Sequence, residues 1–237
     1  MPSPQPVILV PPSEGKATGG EGPPWAKGTM VDAGLDRHRQ VVLRAARTAG
    51  AVARGAPTMP AIERYTGVLY GELDWPSLSA AARRRGADQL RTVSGLWGLV
   101  APHDPIPAYR LKMSASLPEL GRLATWWRPR VAPVLAARTE GTTVWDLLPI
   151  EHAAAVQWDA CEPRQRVTFR FVEADGRTVN HWNKLLKGAV VRWILEDRPA
   201  DAGAIREFVH PLGYQYDATA SGPLDDPEVA LVLRRRA

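Results

Sequence analysis

Side chains able to do chemistry gather in four short segments of this sequence. These are PPSEGK (residues 11–16), SGLWG (94–98) continued by PIPAYRLKM (105–113), DLLPIEH (146–152) and HWNKLLKG (181–188). Of 30 Lys and Arg residues only five are lysine, and four of those, Lys16, Lys112, Lys184 and Lys187, lie in these segments. A chain that otherwise uses arginine for positive charge keeps lysine where a compact ammonium or a nucleophilic amine is wanted. Lys16 follows an apolar strand in a Gly/Pro loop, which suits an anion clamp or, once desolvated, an amine of lowered pKa. Ser13 and Glu14 share that loop. Arg110 and Lys112 alternate along an extended segment and so point to one side. Lys184 and Lys187 are three apart on a helix, with Asn183 beside them. Together these charges would form a basic cleft for phosphates. Trp97, between glycines and close to Ser94, is placed to stack on a base. His152 and His181 titrate near neutrality, and with Glu151 they are the candidates for proton transfer.

Each of these residues also has a plainer reading. Lys16 can be a surface loop lysine, and Ser13 can bond its own backbone. The charge pairs can be solvated faces, Trp97 can belong to the core, and the histidines can be structural. A phosphate-binding loop of the G-x-x-x-x-G-K-[ST] kind is excluded, because Val10 stands at the first glycine position and Ala17 at the hydroxyl. Neither the single Cys161 nor the five scattered histidines have metal-ligand spacing, and no cofactor motif is present.

The elements that must position these residues read as one mixed α/β domain over 1–237, with a mixed sheet flanked by helices. The spacing predicts a strand at Val7–Val10, helices over 35–48, 62–70 and from about 76 to Gly86, and a strand at 90–93. Three prolines make 102–107 an extended loop. Helices over 118–127 and 130–138 are expected on either side of Pro129. Val167, Phe169 and Phe171 alternate into a hairpin turning at Asp175–Gly176. A helix over 183–196 is expected to bury Leu185, Leu186, Ala189, Val190, Trp193 and Ile194 while Lys184, Lys187 and Arg192 share its other side. Short strands at 214–216 and 229–233 close the chain.

An apolar share of 45% supplies a real core, and the absence of any long apolar run argues against a membrane span. One cysteine and a start without a basic n-region fit a cytoplasmic protein. A net charge of +5 leans towards anionic partners, DNA or a nucleotide-like molecule. The composition does not address oligomeric state.

Long ordered stretches resemble the bacterial peroxide stress protein YaaA family, most of all its actinobacterial branch: ILVPPSEGK, RYTGVLYGELDW (64–75), SGLWGLVAPHDPIPAYRLKMSASLPELGRLATWWRP (94–129) and HWNKLLKGAVVRWILED (181–197). The resemblance implies a single compact α/β domain with a positively charged cleft, a helix-hairpin-helix-like element, DNA binding and a role in limiting iron-driven damage under hydrogen peroxide. At DLLPIEH the family pattern carries Ser where Pro149 stands and Tyr where His152 stands, while Glu151 agrees with some members. That departure points to a lost site or one retuned for another substrate. The alternative to a stress-related binder is therefore an enzyme acting on a small heterocyclic or phosphorylated substrate, with Lys16 as nucleophile or anchor and His152 or Glu151 carrying the proton.

Overall fold

The computed structural model describes residues 5–179 and 182–236. In chain order the strands are β1 (Val7–Val10), β2 (Thr58–Pro60), β3 (Leu90–Ser94), β4 (Gly98–Val100), β5 (Pro105–Pro107), β6 (Ser116–Leu117), β7 (Gly121–Arg122), β8 (Thr143–Asp146), β9 (Gln165–Val172), β10 (Tyr214–Tyr216) and β11 (Glu228–Arg235). The helices are α1 (Asp36–Thr48), α2 (Ala61–Arg64), α3 (Val68–Leu73), α4 (Ala80–Gln89), α5 (Leu123–Thr139), α6 (Ile150–Ala153) and α7 (Asn183–Asp197).

Seven strands form the main sheet in the order β10-β11-β9-β8-β1-β3-β4. The five inner strands run parallel and the two edge strands antiparallel. All four residues of β1 are buried, as a central parallel strand covered on both faces requires. The chain leaves β1 for β3 on one side, then crosses back to β8 and β9 on the other. The carboxyl ends of β1 and β8 thus meet at the point where the winding reverses, the place where α/β sheets open a crevice. One hydrophobic core runs through the sheet and its helices, giving the expected single compact mixed α/β domain.

Several local expectations are corrected. Residues 62–70 form two short helices, because Tyr65 is extended (φ −82°, ψ 117°) and bridges to Lys16. Gly86 does not end α4. It lies inside the helix where a Cβ would stand 2.5 Å from the Trp75 ring, so glycine is there for close approach. Pro129 does not separate two helices; α5 runs through both Pro129 and Pro133. Both prolines lie on its exposed stripe, so the carbonyls they free face water, while Leu123, Trp127, Val131 and Leu135 hold the other side in the core.

The turn at Gly176 (φ +85°) is present, but the expected hairpin return is a single bridge between Val172 and Thr178. β9 instead pairs in parallel with β8 and with β11, where long-range burial of Val167 and Phe171 outweighs the local turn. The strands β2 and β8 lie in segments where no strand was expected. Lys187 does not share an exposed face with Lys184, for the reason given below.

Candidate functional site

A cavity of about 500 Å³ opens at the carboxyl ends of β1 and β8. Its walls come from the loop after β1 (Pro11–Lys16), the start of α3 (Gly67–Tyr70), the segment Arg110–Lys112, the turn and helix at Pro149–His152, and Lys184 of α7.

The loop after β1 is fixed from below. Ser13 is buried and its hydroxyl is engaged, donating to the Gly15 carbonyl and accepting from the Thr66 amide at 3.1 Å. Gly67 must be glycine, since a Cβ there would stand 2.8 Å from that of Ser13. Ala17 donates to the Arg64 carbonyl at 2.9 Å. The fully buried Arg64 guanidinium in turn donates to the carbonyls of Ala17, Gly19, Pro57 and Ile106. Tyr70 donates to the Pro11 carbonyl at 3.0 Å, tying the loop to α3.

These contacts bring Lys16 over two aromatic faces, 4.2 Å from the Tyr109 ring centroid and 5.6 Å from that of Tyr65. Its Nζ donates to the carbonyls of Ser13 at 2.7 Å and Glu14 at 3.3 Å. Burial pulls its pKa down from 10.5 to about 8, opposed by the Glu14 carboxylate. Beneath the rings, Tyr109 shares hydrogen bonds with Tyr65 at 2.9 Å and Ser94 at 2.8 Å. Burial raises the phenol pKa of both tyrosines, that of Tyr109 to about 12, so they remain neutral donors.

Arg110, Lys112, Lys184 and Glu14 line the outer cavity, all exposed. Glu14 meets Lys112 at 3.2 Å, and this bond and charge, with Lys184 and Lys16 nearby, hold its carboxyl below the usual range. His152 and Glu151 complete the wall. The His152 ring is buried, with Nδ1 at 2.8 Å from the Val93 carbonyl and Nε2 at 3.2 Å from Glu151. Burial lowers its pKa, opposed by the Val93 bond and by Glu151. In sum, four cationic side chains and two carboxylates surround a floor of Pro11, Leu69, Tyr70 and Leu111.

Other expected site residues lie elsewhere. Lys187 is buried behind the cavity, where Nζ donates to the Leu147 carbonyl at 2.7 Å; burial draws its pKa to about 8, against the pull of Asp146. Trp97 has no exposed surface and packs on Trp25, so no base can reach it. Ser94 supports the floor through Tyr109 without lining the cavity. Asn183 turns its amide towards the Val179 carbonyl at 3.4 Å and does not line the cavity. His181 lies outside the described residues. No group of three or more His, Cys, Asp or Glu able to hold a metal occurs among the described residues. None of their helices is long and apolar enough to cross a membrane.

Sequence reasoning missed Arg64, Tyr65, Tyr70 and Tyr109. Their signal was a buried-looking arginine in RYTG and a tyrosine beside Arg110, neither interpretable without the fold.

Residues 31–220 match the family model described as peroxide stress protein YaaA. The chain belongs to the YaaA family. A UPF0246 protein of Streptomyces coelicolor is 38% identical over 241 residues, covering 90% of this chain and 93% of that relative. A UPF0246 protein of Corynebacterium efficiens is 33% identical over 227 residues, covering 83% and 87%. A relative in Ruegeria is 32% identical over 167 residues, covering 67% and 66%. Membership links the chain to peroxide stress and accounts for the ordered resemblance along its length. The YaaA model begins at residue 31, after the Lys16 loop.

Proposed function

We propose that this cavity binds a small anionic, nucleotide-like molecule, and that such binding is the biochemical work of the protein within the peroxide-stress role of its family. One observation carries the reading: Lys16, Arg110, Lys112 and Lys184, from three separate segments, converge on a single cavity of about 500 Å³. That volume suits one small ligand. The apolar floor accepts a flat ring, and the exposed cations accept phosphate or carboxylate oxygens.

Duplex DNA is the second reading, favoured by the net charge of +5 and by the exposure of Arg110, Lys112 and Lys184. Three of the arginines that would extend such a surface are committed elsewhere, while Arg84 and Arg128 are exposed. Arg83 and Arg85 donate to backbone carbonyls, Arg130 caps the Trp126 carbonyl and ring, and Arg128 faces Asp159. None of them lines the cavity. This favours the small ligand.

Calorimetric titration with purine and pyrimidine 5′-monophosphates, beside a duplex-DNA salt series, separates the two. Saturable nucleotide binding that Lys16→Ala and Lys184→Ala both weaken supports the pocket reading. Duplex binding that falls steeply with salt, without nucleotide binding, replaces it with the DNA reading.

A further inference from the structure

The cavity at the carboxyl ends of β1 and β8 has a counterpart at their amino ends. A cleft of about 900 Å³ lies between the start of β1, the turns that lead into β8 and β9, α4, and the chain just beyond α7. Four guanidiniums line it, those of Arg84, Arg85, Arg164 and Arg198, against the carboxylates of Asp88 and Asp201. The fold uses Arg85, which donates to the Leu195 and Glu196 carbonyls at the end of α7. It uses one edge of Arg164, whose Nη2 donates to Thr143 Oγ1 at 2.7 Å and to the Ala200 carbonyl at 2.8 Å. Arg84 and Arg198 are exposed, and neither guanidinium has a hydrogen bond or ion pair among the described residues.

The backbone of Arg198 is the second observation. It ends α7 in the left-handed region (φ 58°, ψ 49°), where a β-carbon crowds the chain and glycine is usual. Pro199 follows, and a residue before proline is restricted further, to extended backbone. The side chain returns nothing to the fold, since it bonds to no other described part of the protein. A disfavoured backbone that carries a free charged head into a cleft is a mark of function rather than of stability.

We propose that this cleft is a second anion site, distinct from the cavity above, and that it takes a small multivalent oxyanion of the diphosphate class. A guanidinium presents paired N–H edges that match two oxygens of one phosphate. Arg84 comes from α4, Arg198 from beyond α7, and the unused edge of Arg164 from before β9. A group with several charged oxygens can engage all three, where a single carboxylate engages one. Of the two carboxylates, Asp201 is turned to the Gly203 amide at 2.8 Å, and Asp88 leaves the cleft with an excess of positive charge.

The test uses inorganic pyrophosphate and the full chain, in a Lys16→Ala/Lys184→Ala background that weakens the first cavity. Calorimetry should show saturable binding that Arg84→Ala and Arg198→Gly each weaken about 10-fold. Arg198→Gly should at the same time raise the urea midpoint, because glycine accepts the left-handed backbone. Amide NMR should place the pyrophosphate shifts at residues 141–143 and at Arg198 and Ala200. Shifts confined to residues 13–16 and 110–112 give the anion to the first cavity; they overturn the cleft and leave the nucleotide reading standing. Unchanged affinity in both variants overturns it too, and a lowered midpoint in Arg198→Gly returns that residue to a structural role. Duplex DNA that shifts the cleft amides where pyrophosphate does not makes backbone phosphate the occupant, and the small anion falls.

Discussion

The ammonium of Lys16 stands 4.2 Å from the centroid of the Tyr109 ring while donating a 2.7 Å hydrogen bond to the Ser13 carbonyl. Ring face and carbonyl both favour the charged amine, whereas burial opposes it and brings the pKa to about 8. The amine is thus cationic at neutral pH and loses its charge within reach of mild alkali. Affinity for an anionic ligand such as inosine 5′-monophosphate should be full below about 8 and fall as pH rises through that value. Lys16→Ala should bind more weakly and lack this alkaline inflection. Titration calorimetry across the range reads both.

Stability should follow Lys187 in the opposite sense. Its pKa is about 8 when folded against 10.5 ordinarily. Between those values the unfolded chain holds a proton that the folded one has released, so stability rises with pH across the window. Lys16 adds to the rise in the same direction. Urea unfolding at a series of pH values should show a shallower rise in Lys187→Met than in wild type. A variant with the wild-type slope would assign the rise to other groups.

Arg64 should matter more than its distance from the cavity suggests. Replacing it with Ala removes the donor to four backbone carbonyls, that of Ile106 buried, and leaves a void, a loss of about 3 kcal/mol. Arg64→Lys should recover little of this, because one ammonium cannot reach carbonyls arranged around a planar fork. Urea unfolding gives the magnitude. Hydrogen exchange should show faster opening at residues 14–20 in both variants.

Gly188 on α7 is where that helix presses against α3. A Cβ there would run into the Leu69 carbonyl and come within 2.8 Å of the Glu72 Cβ. Gly188→Ala should lose about 1–3 kcal/mol by overpacking, despite the better helix propensity of alanine. Because Leu69 forms part of the cavity floor, nucleotide affinity should fall as well. Unfolding and calorimetry on one preparation test the two together.

Much of the positioning was legible in the sequence. Val7–Val10, the helices near 36–48 and 183–197, and the strands at 90–94 and 214–216 follow from apolar runs, helical periodicity and turn residues, which act over a few neighbours. The scarcity of lysine pointed to Lys16, Lys112 and Lys184, and alternation placed Arg110 beside Lys112. Those four do line one cavity.

Tertiary structure decided the rest. Lys184 and Lys187 are equivalent by helical spacing, yet one is exposed at the cavity and the other buried on the Leu147 carbonyl, because packing against β8 selects which side of α7 is covered. The hairpin signal around Gly176 yielded to parallel pairing with β8 and β11, strands distant in sequence. The His152 ring gained its fixed orientation only when the Val93 carbonyl came within 2.8 Å of Nδ1 and Glu151 within 3.2 Å of Nε2. Residue type and local spacing set which groups were available. Burial, carbonyl partners and charge neighbours, all supplied by contacts far along the chain, set the protonation state each group holds and the direction in which it points.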